Sequence, residues 1–168
     1  MLFRSAGGVT LPARGWLGLT GARGLIQAVP AGDWVIETEY LWPNTAGVEW
    51  SGCGLAMFSS NNPASCVHAY IGGGCRNSAG HGRLNVTKFT NNSYTSNYIE
   101  VLSSSDNNQH LFFRIYKAGT TYGFRYSHNG TTFQFLYSTS SLGFTPAYFG
   151  LYNTSGTMCW FNYFRRIS

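Results

Sequence analysis

Glu37 and Glu39 stand two residues apart in the stretch DWVIETEYLW, Asp33 to Trp42. On a β-strand that spacing puts both carboxyl groups on one face, as a glycosidase needs for its paired carboxylates. The residue between them is Thr38, and the next acid is Glu49. The plainer reading, that both glutamates face away from the core and pair with cross-strand arginines, is therefore the expectation, and no catalytic residue is assigned. A nucleophilic triad has little to draw on, because Asp33 and Asp106 are the only aspartates and there is no G-x-S-x-G elbow. His68, His81, His110 and His128 are dispersed over strands and turns. Gly72-Gly73-Gly74 runs into Cys75-Arg76 instead of a Gly-Lys-Ser/Thr helix start, so it reads as a strand-ending turn and not a phosphate loop.

The four cysteines contain no Cys-x-x-Cys pair, and neither a metal nor a cofactor is expected. Cys66 and Cys75 bracket one extended segment, which holds them about 25 Å or more apart. If residues 54–58 and 66–71 pair antiparallel, Cys53 falls near Ile71 to Cys75, so Cys53 with Cys75 is the best disulfide candidate; in a chain where no export signal is expected, free thiols are the main expectation and the disulfide the alternative. Recognition of a ligand by the surface then comes to the fore. Trp42, Trp50, Tyr70, Tyr94 and Tyr98 fall at strand ends or in polar loops, where a ring can stack on a sugar beside Asn and Arg. The competing reading is that these rings finish the core or an oligomer interface.

These groups need a scaffold, and residues 111–133 show it most openly. Leu111, Phe113 and Ile115 alternate with Phe112, Arg114 and Tyr116; Tyr122, Phe124 and Tyr126 alternate with Gly123 and Arg125. Lys117 to Thr120 turns the chain between them. His128-Asn129-Gly130-Thr131 turns it again, with Asn-Gly suited to a type I′ turn, and Phe133, Phe135 and Tyr137 supply a third alternating strand. Upstream, Trp34, Ile36, Thr38, Tyr40 and Trp42 share one face of a strand. Further strands are read at 54–58, 66–71, 83–89, 98–102, 147–152 and 158–167. Ten or more short strands predict an all-β, two-sheet antiparallel sandwich or jelly roll, with Trp34, Ile36, Phe113, Ile115, Phe124 and Phe161 in the core.

Composition agrees with this reading. Aromatic residues make up 17% of the chain, there are 21 glycines, and only 10% of residues are charged, which suits short strands and tight turns better than solvated helices. The 168 residues allow one core of ordinary size. Residues 1–24 read as an N-terminal arm or edge strands, and residues 25–168 as the sandwich. The net charge of +5 comes from scattered bases with few acids; without a basic stripe, no nucleic-acid partner is expected. Arg4, Arg14 and Arg23 interrupt the N-terminal apolar patches, so neither an export signal nor membrane insertion is expected.

The series PAGDWVIETEYLW, GCGLAMF, LFFRIYKAGTTYGFRYSHNGTTF, AYFGLYN and FNYFRR is similar to the concanavalin A-like lectin/glucanase jelly rolls. These occur in laminin-G-like modules, in the C-terminal domains of some β-xylosidases, and in phage tail and virion proteins. The resemblance spans roughly residues 25 to 167. Relatives often carry Asp in the terminal motif where this chain has Asn162, and no acidic cluster suits calcium. The expected function is a non-catalytic structural protein of a bacteriophage virion, a capsid decoration or tail component contributing to glycan or host-surface adhesion. Such a protein assembles in the host cytoplasm, with other virion proteins and further copies of itself as partners and a cell-surface glycan as ligand. Leu2, Phe3, Trp16 and Leu17 in the N-terminal arm are the docking candidates. The alternative is a carbohydrate-binding module associated with a glycoside hydrolase, and secreted.

Overall fold

The computed structural model describes residues 3–11, 26–43, 53–61, 67–73, 82–91, 93–103, 108–153 and 159–168. Among them lie β1 (Phe3–Leu11), β2 (Ile26–Ala28), β3 (Trp34–Pro43), β4 (Cys53–Phe58), β5 (Val67–Gly73), β6 (Gly82–Thr90), β7 (Ser93–Ser103), β8 (Asn108–Ala118), β9 (Thr121–Ser127), β10 (Gln134–Thr139), β11 (Tyr148–Asn153) and β12 (Cys159–Arg166). They form two six-stranded antiparallel sheets. The front sheet has the order β1-β12-β3-β8-β9-β10, and the back sheet the order β2-β11-β4-β5-β6-β7. The all-β sandwich expected from the sequence is the fold.

Inward residues of both sheets interleave to make the core. Trp34, Ile36 and Tyr40 of β3 meet Leu111, Phe113 and Ile115 of β8, Phe124 of β9, and Phe161 and Phe164 of β12; Leu55, Met57, Ile71, Leu84, Val86, Phe149 and Leu151 face them from the back sheet. All six expected core residues are there. Tyr40 stacks on Phe113 at 5.1 Å, and Trp34 reaches across the sandwich to Phe149 at 6.0 Å. Alternation sends Ala56 and Phe58 to the other side of the back sheet, where they form a smaller cluster with Tyr152.

The turns follow from side chains that can bind backbone. Gly119 has φ +58° and opens a two-residue loop between β8 and β9, as a type II′ turn requires. Asp33, just ahead of β3, accepts the Gly119 N–H at 2.8 Å and so locks this hairpin to the neighbouring strand. The Asn129-Gly130 turn differs from expectation. Gly130 has φ +71°, but Asn129 does not adopt positive φ, so the turn is not type I′. Asn129 instead accepts the N–H groups of Thr131 and Thr132 through its side chain, while Ser127 Oγ accepts those of Asn129 and Gly130. A side-chain-built loop has replaced the two-residue turn. A Cβ at Gly130 would meet the Phe112 ring at 2.9 Å, in addition to the positive φ. Gly130→Val should therefore cost about 1–3 kcal/mol in urea unfolding, and Gly130→Asn less; equal midpoints for both variants would refute the backbone argument.

Two irregularities change which residues face out. The register of β10 slips between Phe135 and Tyr137, so Leu136 is buried and Phe135 is 62% exposed, and the expected Phe133/Phe135/Tyr137 alternation is broken. On β12 the slip lies between Phe161 and Tyr163. Asn162 is the extra residue, and Thr38 Oγ1 donates to the Tyr163 carbonyl at 2.6 Å beside it. Phe161 and Phe164 consequently both point inward, whereas Tyr163 and Arg165 point outward. At the N-terminus, Phe3–Leu11 is hydrogen-bonded to β12 as an outer strand of the front sheet; residues 12–24 of the expected N-terminal segment lie outside the described residues.

Candidate functional site

The outer face of the front sheet, turned away from the core, gathers the polar groups. Cross-strand register sets them in rows: Arg165, Glu37, Arg114 and Arg125 lie directly opposite one another on β12, β3, β8 and β9. One row along, Tyr163, Glu39 and Phe112 are aligned, and beyond them Trp160, Leu41 and His110. Both glutamates face away from the core, but only Glu37 has arginines across the strands, Arg165 and Arg114; Glu39 is opposite Tyr163 and Phe112.

Glu37 is nevertheless 0% exposed. Arg114 Nε donates to its Oε2 at 2.6 Å, Arg165 donates to Oε1 through Nη2 at 2.6 Å and Nε at 3.2 Å, and the Tyr163 hydroxyl donates to the same oxygen. Burial alone would raise the carboxyl pKa. The hydrogen bonds from Tyr163, Arg165 and Arg114 outweigh it and hold Glu37 below the ordinary carboxylate value. Burial and the Glu37 bond push the Tyr163 phenol above its usual range, and the Arg165 guanidinium is raised chiefly by its bond to Glu37. Both oxygens are occupied and enclosed, so this carboxylate organises its surroundings and has no open approach for a substrate.

The accessible part of the face lies beside it. Glu39 Oε1 sits 2.5 Å from His110 Nε2, and the two line a depression of about 590 Å³ with Leu41, Trp160 and Asn162. Leu41 is exposed and Trp160 half-buried, giving apolar surface next to an imidazole, a carboxylate and an amide. The Asn162 bulge delivers its side chain to this wall. Such a mixture suits a polyhydroxylated ligand, whose C–H faces pack on indole and leucine while hydroxyls reach polar rims. Among the described residues, no three of His, Cys, Asp and Glu come together as ion ligands, and no helix is long and apolar enough to cross a membrane.

Of the aromatics expected to bind glycan, those among the described residues are divided between the two sheets. Trp42 lies on β3 opposite Gln109 in the front sheet, whereas Tyr70 lies on β5 opposite Ala56 and Thr87 in the back sheet; their side chains, and all of Trp50, fall outside the described residues. Tyr94 is 56% exposed on β7, edge-on to Phe89. Tyr98 is half-buried, stacks on Tyr137 at 5.3 Å and donates its hydroxyl to the Leu142 carbonyl, so it joins the two sheets. Burial, and then Tyr137, raise its phenol pKa. Phe3 opens β1 opposite Phe164; Leu2, Trp16 and Leu17 lie outside the described residues. Cys53 is opposite Gly73, and Cys75 is likewise outside. Trp160 and Asn162 were not legible in the sequence because no local pattern sets β12 beside Leu41 of β3 and His110 of β8.

No protein-family model matches the chain, and no curated protein matches it in sequence. Solved structures do share its fold. A xylan β-1,4-xylosidase from Bacillus halodurans C-125 superposes with a TM-score of 0.74 at 11% identity, over 95% of this chain and 32% of that one. The GH43 protein BlXynB from Bacillus licheniformis gives 0.69 at 13%, again over 95% and 32%. A functionally unknown protein from Saccharomyces cerevisiae gives 0.62 at 12%, over 100% of this chain and 91% of that one. The chain thus spans about a third of the two bacterial chains, as one sandwich within a larger protein, and nearly the whole of the yeast chain. At these identities the likeness establishes the β-sandwich fold alone.

Proposed function

We propose that this chain is a non-catalytic, carbohydrate-binding β-sandwich of the kind that accompanies glycoside hydrolases, with its ligand held on the outer face of the front sheet. The observation that carries this reading is the depression between Leu41, Trp160, Asn162, Glu39 and His110. The fold's recurrence within xylosidase chains supports it from outside. Of the two functions expected from the sequence, this is the alternative; the virion setting, with its virion-protein and self-association partners, has no observation behind it. Glu37 serves as the anchor that fixes Tyr163 and Arg165 beside the site, and Glu39 as a hydrogen-bonding group, so no turnover is expected.

Affinity electrophoresis and calorimetry against xylans, xyloglucan and other plant and bacterial polysaccharides test this. Trp160→Ala should weaken binding by about 1–3 kcal/mol, on the order of tenfold to a hundredfold, without lowering unfolding stability by a similar amount. Binding that survives Trp160→Ala, or no binding to any polymer, would refute the assignment. Release of reducing sugar that disappears in Glu39→Gln would restore the paired-carboxylate mechanism.

A further inference from the structure

We infer that the polysaccharide taken by this face is acidic: the site is built for a uronic-acid-bearing polymer, with Arg125 and Arg114 receiving the sugar carboxylate. The inference rests on the carbohydrate reading above and specifies its ligand. It starts from an imbalance in the central row. Arg165, Arg114 and Arg125 contribute three cations across four neighbouring strands, and Glu37 is the single anion among them. Glu39 lies outside this row, opposite Tyr163 and Phe112, with its carboxylate held against His110. Glu37 is fully engaged by Arg165 and Arg114, and among the described residues no carboxylate forms an ion pair with Arg125.

Arg114 and Arg125 are direct cross-strand partners, and like charges in that relation destabilise a sheet. The molecule supports the arrangement instead of avoiding it. The Arg114 guanidinium lies 3.5 Å above the centre of the Phe133 ring, and that of Arg125 lies 5.1 Å from the centre of Tyr116. The second platform needs a notch in the sheet. Tyr116 lies flat over Gly123, where a Cβ would come within 2.0 Å of its ring. Two guanidinium groups are thereby supported on aromatic platforms at the surface, one of them exposed, and their planar donor forks match a carboxylate in two-point geometry.

The position fits one extended ligand. His110 and Arg114 lie four residues apart on β8, and Arg125 is one strand further, so the depression and the cationic pair are separated by roughly 14 Å across the sheet. A polymer seated on Trp160 and Leu41 can place a neighbouring sugar's carboxylate over Arg125. A nucleic acid fits less well, because Phe133 and Tyr116, the rings that bases would stack on, are already beneath guanidinium groups.

The test compares acidic polysaccharides, namely a glucuronic-acid-substituted xylan, polygalacturonate and alginate, with the same polymers after chemical reduction of their carboxyl groups to alcohols. The intact protein should prefer at least one native polymer over its reduced form by about tenfold, the size of one charge-assisted hydrogen-bond contact, and the preference should shrink with added salt. Arg125→Gln, at an exposed position, should bring the native polymer's affinity down to that of the reduced one. Equal affinity for every native and reduced pair would overturn this inference alone and leave carbohydrate binding standing. An Arg125→Gln protein that keeps the full preference would also overturn it, as would tighter binding of a single-stranded oligonucleotide than of any acidic polymer. Failure to bind any polymer in either form would overturn both this inference and the carbohydrate reading.

Discussion

Replacing Glu37 by glutamine is expected to cost about 2–4 kcal/mol of unfolding free energy at pH 7. Removing one member of a fully enclosed ion pair typically costs about 3–5 kcal/mol. The expected figure is lower because Arg114 and Arg165 are 27% and 40% exposed and can partly rehydrate. The sign of the pH dependence follows from the depressed carboxyl pKa. Such a group contributes fully above its unfolded-state value, near 4.3, and loses the contribution as pH falls through the lower native value. Urea titrations of both proteins at pH 7 and pH 3 should show the gap closing at the acid end. A gap of the same size at both pH values would mean that the Glu37 charge is not what stabilises the face.

Trp34→Ala should cost about 3–5 kcal/mol, because it empties the volume between the sheets where the indole packs on Phe149. Trp34→Phe should cost far less, about 1 kcal/mol. The ring retains most of its packing, and the substitution removes an indole N–H that is buried without an acceptor among the described residues. If Trp34→Phe were as damaging as Trp34→Ala, the N–H would have a partner that matters. Thermal or urea unfolding reads both values directly.

What could be read from the sequence was whatever strict alternation governs. Trp34, Ile36, Phe113, Ile115 and Phe124 lie on uninterrupted strands, and a period of two was enough to put them inside. The same rule placed Glu37 and Glu39 outside. It failed at Phe133 to Tyr137, because one extra residue reverses every facing beyond it, and at Asn162 the same device set Tyr163 and Arg165 against β3. Glu37 and Arg165 are 128 residues apart, and no local pattern encodes that register. Nothing local in the sequence says which sheet an aromatic beside a polar loop belongs to: Trp42 lies in the front sheet, and Tyr70, Tyr94 and Tyr98 lie in the back sheet. The composite wall of Trp160, Leu41 and His110 exists only once three distant strands are aligned.

The strand order also dictates a folding sequence. Each sheet contains a meander of neighbours in sequence, β4 to β7 in the back and β8 to β10 in the front, which can form by local search. Each is then completed by a strand made much later: β11 inserts between β2 and β4, and β12 between β1 and β3. Until β12 has left the ribosome, β1 and β3 lack their shared partner, and Glu37 has only Arg114 to meet its charge. The nascent chain therefore passes through a stage with two unpaired sheet borders, where capture by a chaperone competes with aggregation. The interior position of β12 makes that interval an obligatory part of the protein's biogenesis.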